Sequence, residues 1–202
     1  LSNLADHERS RIIRDLITVD PSHNHHEACH LPDESTSDWI CRSEEWGDWI
    51  NGNLRLWWID GIPGAGKTVL VSHMIERVRL VSQQTPNFPG EVGWVYYYCY
   101  HARTHISENE PFLRWVISTL SRQAHFVPQT VVDNSHDISP KVLWNAFVTL
   151  AARFEKVLIT IDALDECKDR REFLNSSSAL LHPFPTLASL SRAEKRLTSP
   201  RL

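Results

Sequence analysis

Apolar positions along this chain switch repeatedly between helical spacing and short unbroken runs. Within residues 5–17, the pairs Ile12-Ile13 and Leu16-Ile17 recur at helical spacing among charges, which predicts an amphipathic helix closing near Asp20-Pro21. Residues 22–38 are rich in His, Ser, Asp and Glu and read as a polar connector. Trp39, Ile40, Trp46, Trp49 and Ile50 then supply apolar anchors around a short helix expected from Ser43 to Asn51. The run RLWWID, 55–60, is short, apolar and bounded by Gly61, the profile of a buried parallel strand. After GIPGAGKT, Val69, Leu70, Met74, Ile75 and Val78 continue at helical spacing as far as SQQTPNFPG.

The second half repeats the alternation. VGWVYYYCY is a second strand, and Pro111 opens a helix bearing Phe112, Leu113, Val116, Ile117 and Leu120. Ser139-Pro140 starts another helix, with Val142, Leu143, Ala146, Phe147 and Leu150 on its apolar side. Val157–Ile161 is a third buried strand ending at Asp162. Strands alternating with helices predict an α/β fold, a mostly parallel sheet covered on both faces.

Composition narrows the partners. Twenty-one basic and 25 acidic residues give a net charge of −4, so no basic field exists to hold a nucleic-acid backbone. No apolar stretch approaches the ~20 residues that span a bilayer, and the charged start LSNLADHERSRIIRDL is unlike a secretory signal. The expectation is a cytoplasmic protein without membrane contact. Cys29, Cys41, Cys99 and Cys167 show no paired short spacing, which fits reduced thiols. The chain begins with Leu and has its one Met at position 74, as expected of a piece of a longer product.

The most specific pattern is Gly61, Ile62, Pro63, Gly64, Ala65, Gly66, Lys67, Thr68, which matches Gly, four residues, Gly-Lys and Ser or Thr. Glycines there allow backbone N–H groups to point at phosphate oxygens where a helix begins and its dipole favours negative charge. Lys67 is expected on the β and γ phosphates, the Thr68 hydroxyl on Mg²⁺, and Val69 beside the nucleotide at the helix start. A carboxylate at the end of a parallel strand stands where such a Mg²⁺ needs an outer ligand, which nominates Asp162. Asp165 and Glu166 follow where a carboxylate can orient an attacking water or respond to the γ-phosphate. The alternative for these acids is that they cap the next helix.

Taken together, LWWIDGIPGAGKT and VLITIDALDEC resemble the Walker A and Walker B motifs of NACHT-type STAND NTPases, especially the fungal NACHT and nephrocystin-3-like amino-terminal domains. Asn24–Ala28 (NHHEA), Thr36–Trp39, and Trp46 or Trp49 resemble segments that precede the P-loop in that family, and FLRWVISTLSRQ resembles its helix before Walker B. The likeness covers roughly residues 10–175. It implies a P-loop NTPase three-layer sandwich in which ATP or GTP with Mg²⁺ holds one conformation of a signalling switch, and homotypic association among NLR-like domains. In that family a further strand, ending in a sensor arginine, lies between the P-loop and Walker B strands. After Ile161 this chain has neither Val nor Ile, and 176–202 is polar and Ser/Pro-rich, so no such strand is predicted. TSPR, 198–201, resembles the family's Thr-Ser-Arg ending with Pro200 interposed.

The expected organisation is therefore an N-terminal helical and linker region, 1–54, an NTPase core, 55–175, and a divergent, disordered or truncated tail, 176–202, with the sheet incomplete on its C-terminal side. Nucleotide binding is compatible with that incompleteness; hydrolysis is expected to be slow or absent. The alternative is a non-catalytic nucleotide-sensing or interaction module. A metabolic kinase is disfavoured because no acceptor-site or lid signature is present. Two further features have ordinary readings. His23, His25, His26, Cys29 and His30 are zinc-type donors, but their spacing matches no common finger. Trp94, Tyr96, Tyr98 and Tyr100 share a strand face, where packing explains them better than base stacking, since no basic residues are interleaved.

Overall fold

The structure is a computed structural model. It describes residues 6–30, 37–84, 92–99, 107–135, 138–167 and 173, with the backbone alone for 83–84 and for 187–193. The elements in chain order are α1 (Asp6–Leu16), α2 (Ser22–Cys29), α3 (Glu44–Asn51), β1 (Leu56–Asp60), α4 (Lys67–Gln84), β2 (Val92–Tyr98), α5 (Asn109–Gln123), α6 (Gln129–Asp133), α7 (Pro140–Ala151), β3 (Lys156–Asp162) and β4 (Leu187–Ala193).

Local chemistry sets several boundaries. The Ser43 side chain accepts from the Trp46 amide at 3.2 Å and starts α3, and Gly52 at φ 83° ends it. Ser139 occupies the N-cap position of α7 with Pro140 inside the first turn, but its side chain makes no capping bond. α5 begins two residues before Pro111.

All four strands run parallel in the order β1-β4-β3-β2. Side chains alternate between the two faces of the sheet. On one face Val95, Tyr97, Val157, Ile159 and Ile161 pack with Ile12, Ile13 and Leu16 of α1, Val116, Ile117 and Leu120 of α5, and Leu143, Phe147 and Leu150 of α7. On the other, Leu158 packs with Trp46 and Trp49 of α3 and Met74 and Val78 of α4, joined by Trp57, Ile59 and Trp94. Helices therefore cover both faces. Each fully buried large side chain in these clusters contributes roughly 1.5–3 kcal/mol relative to exposure.

Three expectations are corrected. Residues 22–29 of the expected polar connector form α2. Its only buried apolar residue is Ala28, so hydrophobic periodicity gives no warning; Asp20 Oδ1 accepts from the Ser22 amide at 2.8 Å, and His25 packs its ring 4.6 Å from that of Tyr96. Second, the sheet does not lack a central strand. Leu187–Ala193, within the expected tail, lies between β1 and β3, pairing Leu56↔Ser189 through Asp60↔Ala193 on one side and Val157↔Leu187 through Ile161↔Ser191 on the other. Backbone pairing on both edges outweighs the low strand propensity of LASLSRA. Third, β1 is an edge strand among the described residues and is half-exposed, with Leu56 45% and Trp58 36% accessible, where a fully buried strand was expected. Thr36, Tyr100 and TSPR at 198–201 lie outside the described residues.

Close packing makes a sharp prediction at two glycines. A Cβ on Gly93 of β2 would lie 2.9 Å from Leu120 Cδ2 and 3.1 Å from Phe154 Cγ, both in the core, whereas one on Gly47 of α3 meets nothing within 4 Å. Gly93→Ala is expected to cost about 1–3 kcal/mol and Gly47→Ala to stabilise by about 0.5–1 kcal/mol in urea denaturation. Equal responses at the two sites would contradict the packing described.

Candidate functional site at the carboxyl end of the sheet

β1 ends at Asp60 and α4 starts at Lys67, so residues 61–66 form the whole strand-to-helix turn. Gly64 (φ 79°) and Gly66 (φ 74°) hold left-handed backbone that other residues adopt at a cost of about 1–2 kcal/mol. Gly61 is different: a Cβ there would sit 3.5 Å from Lys67 Cδ, an ordinary contact. The Ala65 amide donates to Ile62 O at 3.2 Å, and the Leu70 amide to Gly66 O at 3.0 Å, opening α4. Lys67 is buried, and its ammonium donates to the carbonyls of Gly61 and Ile62. Ile62 is 63% exposed at the tip of the loop.

β3 ends in the same plane. Asp162 pairs with Tyr98 in the parallel register, and its carbonyl accepts from the Cys99 amide at 3.0 Å. Ala163 then turns the chain in a left-handed conformation (φ 55°, ψ 37°), and a 3-10 turn, Leu164–Glu166, follows with Leu164 fully buried. Asp162 itself is 1% exposed.

The first turn of α4 and the end of β3 meet at a cavity of about 600 Å³, within the ~300–1,000 Å³ range of small-molecule sites, whose lining does not include Gly61–Lys67, Val69 or Asp165. Its sheet side is lined by Thr68, Tyr98, Cys99, Asp162, Ala163 and Glu166. Its other wall is α2, through Asn24, His26, Glu27, Ala28 and His30. Thus the structure brings Thr68, Asp162 and Glu166 to one space. Lys67 adjoins Thr68 at the first turn of α4, and Asp165 precedes Glu166 on the 3-10 turn.

Sequence reasoning missed Tyr98 and Cys99 as lining residues and treated α2 as a connector. The clustered histidines and the NHHEA segment were the available signal for that second wall. Tyr98 is buried, and its phenol is pushed well above its ordinary value, by burial first and then by the Asp162 charge. Burial likewise raises the Tyr96 phenol. His25 Nδ1 lies 3.0 Å from the Tyr98 hydroxyl and its Nε2 2.9 Å from Glu76 Oε1. The Cys29 thiol is raised by burial and by the Glu76 charge, with the Ser72 hydroxyl acting in the opposite sense. Trp94, Tyr96 and Tyr98 stack along this face against Val71 and Ile75 of α4, which is strand packing.

Residues 35–190 match the family model described as Nephrocystin 3, N-terminal. The chain belongs to this nephrocystin 3 N-terminal family. Its domain is NACHT-like, and a curated relative, the vegetative incompatibility protein HET-E-1 of Podospora anserina, is 29% identical over 143 residues. That alignment covers 64% of this chain and 10% of HET-E-1, so the chain spans about a tenth of that relative. No solved structure matches. No helix among the described residues of this family member is long and apolar enough to cross a membrane.

The left-handed turn at Ala163 determines where Glu166 lies relative to Asp162. Ala163→Gly is expected to change stability by less than about 1 kcal/mol, because relief of backbone strain opposes the added chain entropy, whereas the β-branched Ala163→Val costs at least about 1–2 kcal/mol. Chemical denaturation of both variants measures this, and a valine tolerated as well as glycine would contradict the turn.

Proposed function

We propose that the chain binds a nucleoside triphosphate, ATP or GTP, with Mg²⁺, as a regulatory module of the NACHT type. The observation that carries this reading is the convergence of Thr68, Asp162 and Glu166 on one cavity directly beside a glycine turn that opens a helix. The fold reading that accompanies it is a P-loop three-layer sandwich, supported by β4 lying between β1 and β3 and by helices on both faces.

The residues present suit the proposed ligands. Gly64 and Gly66 leave backbone amides unobstructed at the N-terminus of an 18-residue helix, where the dipole favours an anion. The Thr68 hydroxyl and the Asp162 carboxylate are oxygen donors of the hard type that Mg²⁺ takes. Mg²⁺, when bound, would neutralise charge on the β and γ phosphates. Lys67 would exchange the Gly61 and Ile62 carbonyls for phosphate oxygens, and Gly61 to Val69 would contribute the rest of the cradle. Glu166 is placed to orient a water, with Asp165 beside it on the turn. The α2 wall leaves His26, His30 and Asn24 to meet the parts of the nucleotide beyond the phosphates.

A second reading is nucleotide sensing without turnover, in a module that associates with full-length relatives. Fluorescent-nucleotide titration distinguishes the outcomes. Lys67→Ala is expected to weaken binding at least tenfold, about 1.4 kcal/mol, and unchanged affinity would remove the phosphate-loop assignment. Glu166→Gln is expected to preserve binding while slowing phosphate release; no release by the unaltered chain would favour the sensing module.

A further inference from the structure

The face of α2 turned away from the cavity carries a separate cluster. His25 and Cys29 lie one helical turn apart and both face α4, where Glu76 meets them. His25 Nε2 is 2.9 Å from Glu76 Oε1 and 3.6 Å from Cys29 Sγ, and the three ligand atoms all lie within 4.8 Å of one another. A tetrahedral zinc with ordinary bond lengths separates its nitrogen and oxygen donors by about 3.4 Å and its nitrogen and sulfur donors by about 3.6 Å. The sulfur stands at that distance from Nε2 but is also 3.9 Å from Nδ1, so it must swing around the ring edge to meet an ion on the Nε2 lone pair, and the carboxylate needs to withdraw by about half an ångström.

We propose that His25, Cys29 and Glu76 form a zinc site that fastens α2 to α4. Imidazole, thiolate and carboxylate together suit Zn²⁺ better than the harder Mg²⁺ or Ca²⁺, which take oxygen alone. His25 has the support a zinc ligand ordinarily has: with Nε2 on the metal, Nδ1–H donates to the Tyr98 hydroxyl 3.0 Å away, which fixes the tautomer and the ring. The His25–Glu76 contact alone would be an ordinary ion pair, and a metal would draw the Cys29 sulfur beside it into the same centre. Cys29 is exposed and Glu76 is partly so, which leaves the ion a path from solvent and the fourth position to water.

The consequence is mechanical. α2 forms one wall of the cavity and α4 begins at Lys67 and Thr68, so a metal between them holds the wall against the glycine turn. This site stands independently of the nucleotide reading, because its test uses no nucleotide.

Cobalt in place of zinc provides the readout. Titrating Co²⁺ into the reduced chain is expected to produce one equivalent of sulfur-to-cobalt charge-transfer absorption, displaced by Zn²⁺. Cys29→Ser, a near-isosteric change at an exposed position, is expected to abolish that absorption and weaken binding at least about tenfold, and Glu76→Gln to keep it while weakening binding by a similar factor. The nearby pair His26 and His30, whose Nε2 atoms are 3.0 Å apart, holds no sulfur, so replacing both with Ala leaves the absorption in place. Absence of the absorption, its persistence in Cys29→Ser, or its loss in the His26/His30 variant would overturn the proposal.

Discussion

Parallel pairing of β4 between β1 and β3 is the constraint on which the rest of the molecule depends. A strand ending at Asp60 and a strand ending at Asp162 are 102 positions apart in the chain, and they share an edge of the sheet because one strand bonds to both. Parallel direction puts all the carboxyl ends on one side, which is where open α/β sheets bind ligands. Without that strand, the glycine turn and the acidic turn would have no fixed separation.

The packing on either side serves the same end. Trp46 packs on Trp49 with ring centroids 5.6 Å apart, Trp49 packs on Trp57 at 6.3 Å, and Lys156 donates from the start of β3 to Ile50 O at 2.7 Å. α3 thereby braces β1 and β3 from one face while α1, α5 and α7 hold β2 and β3 from the other. The Trp115 indole donates to Tyr96 O at 2.7 Å, and the Gln123 side chain bonds both the amide and the carbonyl of Trp94, so α5 is tied to β2 by polar contacts as well as by burial. Buried polar groups joined in this way add specificity of register that apolar contact alone leaves loose.

Periodicity made most of this readable in advance. α1, α3, α4, α5 and α7 announce themselves through Ile, Leu, Val and Trp at helical spacing, and β2 and β3 through β-branched and aromatic runs. The exceptions have identifiable causes. α2 is stabilised by histidine contacts and therefore has almost no apolar stripe. β4, with Leu, Ala and Ser in place of Val and Ile, owes its conformation to neighbours on both edges, which no window of sequence contains. At the candidate site, Gly64, Gly66, Thr68 and Asp162 were named from motif chemistry, whereas Tyr98 and Cys99 required the parallel register that sets β2 beside β3.

Two-dimensional amide spectra of isotopically labelled protein, titrated with a Mg²⁺–nucleoside triphosphate, test the shared edge most directly. Amides of Gly64–Thr68 and of Asp162–Glu166 are expected to shift together and to report one affinity. Shifts confined to the glycine turn, or two unrelated affinities, would contradict a single ligand space spanning both ends of the sheet.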